Sequence, residues 1–368
     1  MKIFLVLPRL CFGGAERVGV MLANGLSNRG HRVFVLSNLY APQTYPINDK
    51  VVLHNLFTSS NPNKILKWFD AIKQIKKHIK EEQPDVIIGI MWMSSLLARL
   101  ASIGTSIPII STVHDAFEHP DSAKMSWLER FHKFQLNKLY DYITVLTLAD
   151  KKAIGKRLKN VYVFPNPLVL EPIQKFPNNN KEKIILAAGR LEDWHTKGFD
   201  VLIKAWGRIA KKYKGWTLQI AGVGTDEQRL FLQDMASNNH IEPSQFQLLG
   251  FRADIEELYR KSEIFVLSSR YEGFGLVLIE AMSQGCACLS TDYKGRQSEI
   301  ILNEREGITC RPESVDELAA GLERLLSDDC LRKDIQANAI EGSKRFGVEV
   351  IVAKWDVFIR NIVAKHRK

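Results

Sequence analysis

Along the first 165 residues, short runs of consecutive apolar residues alternate with stretches whose apolar positions recur at helical spacing. The runs are "KIFLVL", "HRVFVLS", "KVVLHNL", "DVIIGI", "IPIIST", "YITVLT" and "VYVF", each bounded by Gly, Pro, Asn or charged residues. Between them lie amphipathic segments such as "AERVGVMLANGLSNRG", in which Gly30 marks a helix stop. Strand–helix alternation of this kind predicts a parallel sheet covered on both faces.

The pattern pauses at "FPNPLVLEPIQKFPNNNKEK", whose four prolines and polar tract have the composition of a linker. It restarts with "KIILAAGR", "TLQIAGVG", "FQLLG", "EIFVLSS", "CACLSTD" and "GITCR". Two α/β domains are therefore predicted, with a boundary near Asn166. The closing "VIVAKWDVFIRNIVAKHRK" repeats apolar residues at helical spacing. Two open parallel sheets imply a ligand cleft at the carboxyl ends of their strands.

Composition supports this picture. With 368 residues, 45% of them hydrophobic, the chain can bury substantial cores. Cys11, Cys286, Cys288, Cys310 and Cys330 are odd in number and form no CxxC pair, which predicts reduced thiols in a cytosolic protein. The opening "MKIFLVLPRL" is apolar only from Ile3 to Leu7, too short for a signal-peptide core. The uncharged run around "VIIGIMWMSSLLA" stops at Arg99, short of a spanning helix.

The net charge of +10 is unevenly placed: residues 1–165 hold 22 Lys/Arg against 12 Asp/Glu, and the remainder hold 29 against 29. Such asymmetry suits a domain that faces lipid headgroups, a phosphorylated acceptor or nucleic acid, and equally suits a solvated basic surface. A nucleic-acid-binding protein is the rival from another class, but no recognition motif accompanies the charge.

Candidate chemistry concentrates in "RYEGFGLVLIEAMSQG", residues 270–285. Glu280 lies within an apolar helix, where a carboxylate is costly unless something hydrogen-bonds or pairs with it. Either a buried cation or a ligand can supply that partner. Glu272 precedes Gly273 and Gly275, which let the backbone approach a ligand and open amides at a helix start. In "LAAGRLEDWHTKGFDVLIKAW", Arg190 follows a strand and Lys197 precedes a helix. Each alone reads as a surface cation; together they can clamp a diphosphate. Gly222 and Gly224 in "IAGVGTDEQRL" mark a tight turn or a close ligand approach.

These motifs, in this order and followed by "LLGF" and "EGFGLVLIEA", resemble the donor-binding half of the family 4 retaining glycosyltransferases, of the group 1 type. The resemblance covers nearly the whole chain and is strongest at residues 184–290. It implies the GT-B fold: an α/β protein with two Rossmann-like, doubly wound parallel-sheet domains facing across a cleft. Residues 1–165 would be the acceptor-binding domain and 166–345 the nucleotide-sugar donor domain. Residues 346–368 would form a helix packing back on the first domain.

By the same resemblance, Glu280 would accept hydrogen bonds from the ribose of the donor. Glu272 and the backbone of Gly273, Phe274, Gly275 and Leu276 would hold the transferred sugar. Arg190 and Lys197 would neutralise the diphosphate, with Phe251 and Arg252 near the base. Gly13 and Gly14, in "PRLCFGGAERVGV", would approach the donor phosphates and the acceptor. His114, with Asp115 beside it, matches a family histidine near the reacting carbon. Departures are Ala287 where proline is usual, the longer Arg190–Lys197 spacing, and Lys294-Gly295-Arg296 where a Gly-Gly pair is common. Glu299 keeps the acidic position after that pair.

The expected reaction moves a hexose or N-acetylhexosamine from a UDP-sugar to a lipid-linked or lipopolysaccharide-type glycan. It retains configuration and uses no metal or other cofactor. A nucleotide-sugar epimerase on the same fold is the rival reading. In "KILKWFDAIKQIKKHIK", Ile65, Trp68, Phe69, Ile72, Ile75 and Ile79 follow helical spacing among six lysines. That segment suits an interfacial helix on anionic lipid or an ordinary domain helix. With the aromatic and basic "WLERFHKFQLNKLY", it predicts a cytoplasmic protein peripherally bound to the inner face of the membrane.

Overall fold

The fold comes from a computed structural model, which describes residues 1–11, 13–58, 63–118, 126–174 and 181–367. Phe12 of the glycine-rich opening loop and Lys175–Asn180 of the linker tract lie outside the described residues. The chain divides into two compact units, Met1–Pro167 with Val348–Lys368, and Leu168–Gly347.

The first unit is built on β1 (Lys2–Val6), β2 (Arg32–Ser37), β3 (Val52–Asn55), β4 (Val86–Ile90), β5 (Ile109–Thr112), β6 (Tyr142–Val145) and β7 (Val161–Val163). They form one seven-stranded sheet in the order β3-β2-β1-β4-β5-β6-β7, with every pair parallel. Alternate residues of one strand feed two separate cores, because both faces are covered. Ile3 and Leu5 point to one layer, formed by the helices Gly14–Asn28 and Val348–His366. Phe4 and Val6 point to the other, which includes the helices Lys64–Glu82 and Met91–Ala101.

The terminal helix belongs to the first unit for reasons visible in single contacts. Ile351, Val352, Trp355, Phe358 and Ile359 are buried with Ile3 and Leu5. Gly25 allows the close crossing, since a Cβ there would lie 2.5 Å from a Val352 methyl. A buried polar tie adds direction: His31 Nε2 lies 2.8 Å from Asp356 Oδ1, and Arg360 Nε donates to the same oxygen at 2.7 Å.

The second unit repeats the plan with β8 (Glu182–Ala188), β9 (Thr217–Ala221), β10 (Phe246–Gly250), β11 (Ser262–Leu267), β12 (Ala287–Thr291) and β13 (Ile308–Cys310). The order is β10-β9-β8-β11-β12-β13, again with every pair parallel. In both sheets the order runs outward from the first strand and then reverses. Ligands of open α/β sheets bind at the carboxyl end of the strands flanking that reversal. In the second unit those strands are β8 and β11. Its two ends lie side by side, the Leu168 amide donating to the Phe346 carbonyl at 2.7 Å.

Candidate active site

The loops after β8 and β11 are fastened to each other, and the fastening uses residues that the motifs left without a role. Arg270, the first residue of "RYEGFG", donates from Nη1 and Nη2 to Asp200 Oδ1 and Oδ2 at 2.6 and 2.8 Å. Its Nη1 also reaches the His195 carbonyl at 2.6 Å, and its Nε reaches Glu313 Oε1 at 2.8 Å. Burial alone would raise the Asp200 carboxyl, but the hydrogen bonds from Arg270 hold it below its ordinary range. Two further bonds close the seam, from the Arg270 amide to the Thr196 carbonyl (2.9 Å) and from Ser268 Oγ to the Lys197 carbonyl (2.8 Å).

Gly198 is the backbone condition for this seam. Its φ of 65° lies in the left-handed region, and a Cβ would fall 1.9 Å from the Ser268 carbonyl oxygen. Only glycine meets both demands without strain.

The consequence is that Lys197 and Glu272 meet. Lys197 Nζ donates to Glu272 Oε2 at 2.8 Å, with the two side chains only 24% and 19% exposed. The Glu272 charge raises the Lys197 pKa, outweighing the opposite effect of burial, and Asp193 adds to the rise. At neutral pH Lys197 is therefore an ammonium. Arg190 joins the same cluster through Asp193, which it contacts at 2.6 Å, while also reaching Glu192 at 3.2 Å. Arg190 remains largely exposed and can turn toward an incoming anion.

Glu280 lies on the helix Leu276–Ser283 and is 5% exposed. The Tyr259 hydroxyl donates to its Oε2 at 3.4 Å, a long contact. Gly275 begins this helix at φ 93°, and a Cβ there would sit 3.6 Å from Glu272 Cγ, so Glu272 lies against the positive end of the helix. Phe274 is buried edge-on against Phe346 at 5.7 Å, which leaves its backbone, and not its ring, for a ligand.

Phe251 and Arg252 stand apart from the pair. They follow β10, two strands from β8, which corresponds to about 10 Å at ordinary strand spacing. Phe251 is 71% exposed, and Arg252 forms a two-pronged bond to Asp254 at 2.8 and 2.6 Å. Gly222 and Gly224 are explained by internal packing. A Cβ on Gly222 would lie 1.8 Å from the Gly189 carbonyl oxygen, and one on Gly224 would lie 2.5 Å from Leu191 Cβ.

In the first unit, Gly13 and Gly14 follow β1, and His114 follows β5. Gly13 has extended backbone, and its missing Cβ makes room for the Glu16 carboxylate, which would otherwise lie 2.0 Å from it. Glu16 is buried and reaches Arg9 Nε at 3.3 Å. His114 Nε2 lies 2.9 Å from Thr112 Oγ1. Burial pushes its pKa down to about 4, with Asn166 acting in the opposite direction, so the ring is neutral near pH 7. Asp115 pairs with Lys133 at 3.4 Å.

Within the aromatic and basic 127–140 stretch, Lys133 does not add to an exposed basic surface. It is buried and donates to the Ala116 carbonyl at 2.7 Å, so it anchors the loop after His114 rather than facing solvent. The 64–80 segment divides. Ile75 and Ile79 enter the core with Ala71, whereas Ile65 (61%), Leu66 (53%) and Phe69 (68%) stay exposed.

The second unit thus offers paired Lys and Glu side chains, a nearby exposed cation and a buried carboxylate, at the sheet end where α/β folds take ligands. The model of the family described as glycosyl transferases group 1 matches residues 171–342. That described as glycosyltransferase family 4 matches residues 12–171. The chain is a group 1, family 4 glycosyltransferase.

Among its relatives is an uncharacterized glycosyltransferase of Haemophilus influenzae, 28% identical over 346 residues, which cover 93% of this chain and 95% of the relative. Another, from Campylobacter jejuni, is 26% identical over 362 residues, covering 96% and 97%. That enzyme is named as an α-1,4-N-acetyl-D-galactosaminyltransferase for a diNAcBac-PP-undecaprenol-linked glycan. The Anabaena protein HepE, solved with UDP and glucose, superposes with a TM-score of 0.79 at 19% identity, covering 98% of this chain and all of that one (100%). Such a likeness establishes the GT-B fold of this glycosyltransferase, and membership of the family implies a nucleotide-sugar donor and a glycan acceptor. No helix among its described residues is long and apolar enough to cross a membrane.

Proposed function

We propose that this glycosyltransferase moves a hexose or N-acetylhexosamine from a UDP-sugar to a lipid-linked or lipopolysaccharide-type glycan, with retention of configuration and without a metal ion. The observation that carries this reading is the 2.8 Å pairing of Lys197 with Glu272 on the segment that also buries Glu280. A donor diphosphate would draw Lys197 away from Glu272 and free that carboxylate to accept hydrogen bonds from sugar hydroxyls. Arg190, Lys197 and the positive end of the helix Leu276–Ser283 would then stabilise charge developing on the leaving diphosphate. Glu280 would hold the ribose, and Phe251 with Arg252 would lie toward the base. In the first unit, by the family resemblance, Gly13 and Gly14 would approach the donor phosphates and the acceptor, and neutral His114 would lie near the reacting carbon.

UDP as the carrier is supported by the HepE complex, and the lipid-linked acceptor by the naming of the Campylobacter relative. A place at the inner face of the membrane fits the exposed Ile65, Leu66 and Phe69 beside exposed Lys73, Lys76, Lys77 and Lys80. Calorimetry of UDP, GDP and their sugars in EDTA tests the donor site. Tight binding of one nucleotide series, weakened about tenfold or more in Glu280→Ala, is the expected result. A folded protein that binds none of them would end the proposal. Indifference to anionic liposomes at low salt would remove the membrane part alone.

A further inference from the structure

Between β2 and β3 the chain makes a long excursion, and the middle of it lines a surface cavity of about 510 Å³. The cavity is a shallow depression open to solvent, with a volume inside the range of about 300–1,000 Å³ common for small-ligand sites. The wall is held at both ends. At one end, the Thr44 and Tyr45 amides donate to the Leu10 carbonyl at 3.1 and 3.4 Å. The Tyr45 hydroxyl accepts from the Gly13 amide at 3.3 Å and donates to the Gly13 carbonyl at 3.2 Å. At the other, the Asn24 side chain donates to the Pro46 carbonyl (3.0 Å) and accepts from the Asn48 amide (2.9 Å). Asn48 Nδ2 completes the attachment to Asn28 Oδ1 at 2.7 Å.

The lining defines the ligand class. Gln43, Thr44 and Asp49 present exposed amide, hydroxyl and carboxylate groups, while Tyr45, Pro46 and Ile47 supply apolar surface. The lining residues include no Lys or Arg, and Asp49 repels anions, so a diphosphate or a lipid phosphate finds no counter-charge there. An amide and a carboxylate together suit the hydroxyls of a neutral sugar, and a Tyr ring suits its C–H face. Leu10 and Gly13 both follow β1, a strand flanking the reversal of the first sheet, so the Tyr45 end of the cavity adjoins the sheet end where ligands bind.

We propose that this cavity is a subsite for a neutral sugar residue of the glycan acceptor; the proposal rests on the transferase reading above. Saturation-transfer NMR on the full chain tests it, with neutral α-linked hexose and N-acetylhexosamine trisaccharides as probes. UDP is titrated into the same samples by calorimetry. Signals from at least one trisaccharide are expected to saturate and to fall about fivefold or more in Asp49→Ala and Gln43→Ala, as for loss of one hydrogen bond. Melting temperature and UDP affinity should not change in either variant. Saturation that persists in both variants, or none for any trisaccharide, overturns the subsite. Failure of the wild type to bind UDP overturns the donor reading instead, so the two failures are told apart.

Discussion

Arg270 grips both carboxylate oxygens of Asp200, at 2.6 and 2.8 Å, and so fixes the loop carrying Glu272 against the loop carrying Lys197. Neither residue of the pair is assigned a contact with phosphate or sugar in the proposed function. Its effect on the reaction is exerted through the geometry of Lys197 and Glu272. Breaking a largely buried ion pair by removing one partner costs about 3 kcal/mol. Asp200→Asn should therefore lower stability by about that amount in denaturant titration and cut kcat/KM for the donor. The charge-swapped double variant should recover stability in part; recovery of neither property would mean the clamp does not act as a pair.

Lys197 and Glu272 should behave as one unit. Lys197→Ala removes a donor aimed at developing charge, an effect of about 100-fold or more in kcat. Glu272→Gln should be of similar size. The double variant should lose little more than the worse single variant, because each change already destroys the shared arrangement. Strictly multiplicative losses would show that the two side chains act independently.

Gly198 and Gly215 make a controlled comparison. Both have positive φ, but a Cβ on Gly215 meets nothing within 4 Å, while one on Gly198 meets the Ser268 carbonyl at 1.9 Å. Gly215→Ala should cost about 1 kcal/mol, the ordinary penalty for a left-handed non-glycine residue. Gly198→Ala should cost clearly more and abolish transfer, because the seam must open. Equal melting temperatures for the two variants would contradict that account.

Acid should weaken the first unit selectively. His132 is buried, its Nε2 2.7 Å from the Tyr140 hydroxyl, and burial lowers its pKa to about 4. A histidine held below its unfolded value of 6.5 contributes stability that is complete above pH 6.5 and drains away as pH falls through about 4. The full amount is about 3 kcal/mol. Melting temperature should fall across that window in the wild type and fall less steeply in His132→Gln. An unchanged slope in the variant would assign the acid sensitivity to other groups, His114 first among them.

Much of the fold was legible in the chain. Each apolar run read as a strand is a strand, from "KIFLVL" to "GITCR", and the central ones are plainest because strands buried on both faces leave uninterrupted apolar sequence. Lys197, Glu272 and Glu280 were also legible one by one, as costly or clustered charges at strand ends. Arg270 was not, although it opens the most informative motif, since nothing local ties an arginine to an aspartate 70 residues earlier. The burial of Lys133 was not legible either, for a related reason. In an amphipathic stretch a lysine reads as solvated, and only the approach of the Ala116 carbonyl makes burial tolerable.

The sequence by itself determined the order and type of the elements, the two-sheet plan and the chemical kinds of side chain at the strand ends. Those properties depend on periodicity and on near neighbours in the chain. The tertiary structure alone decided which cation meets which carboxylate, which glycines face backbone rather than ligand, and which face of the Lys64–Glu82 helix remains in water. Such pairings join residues such as Lys197 and Glu272, 75 positions apart, and they exist only once strand order has brought their loops side by side.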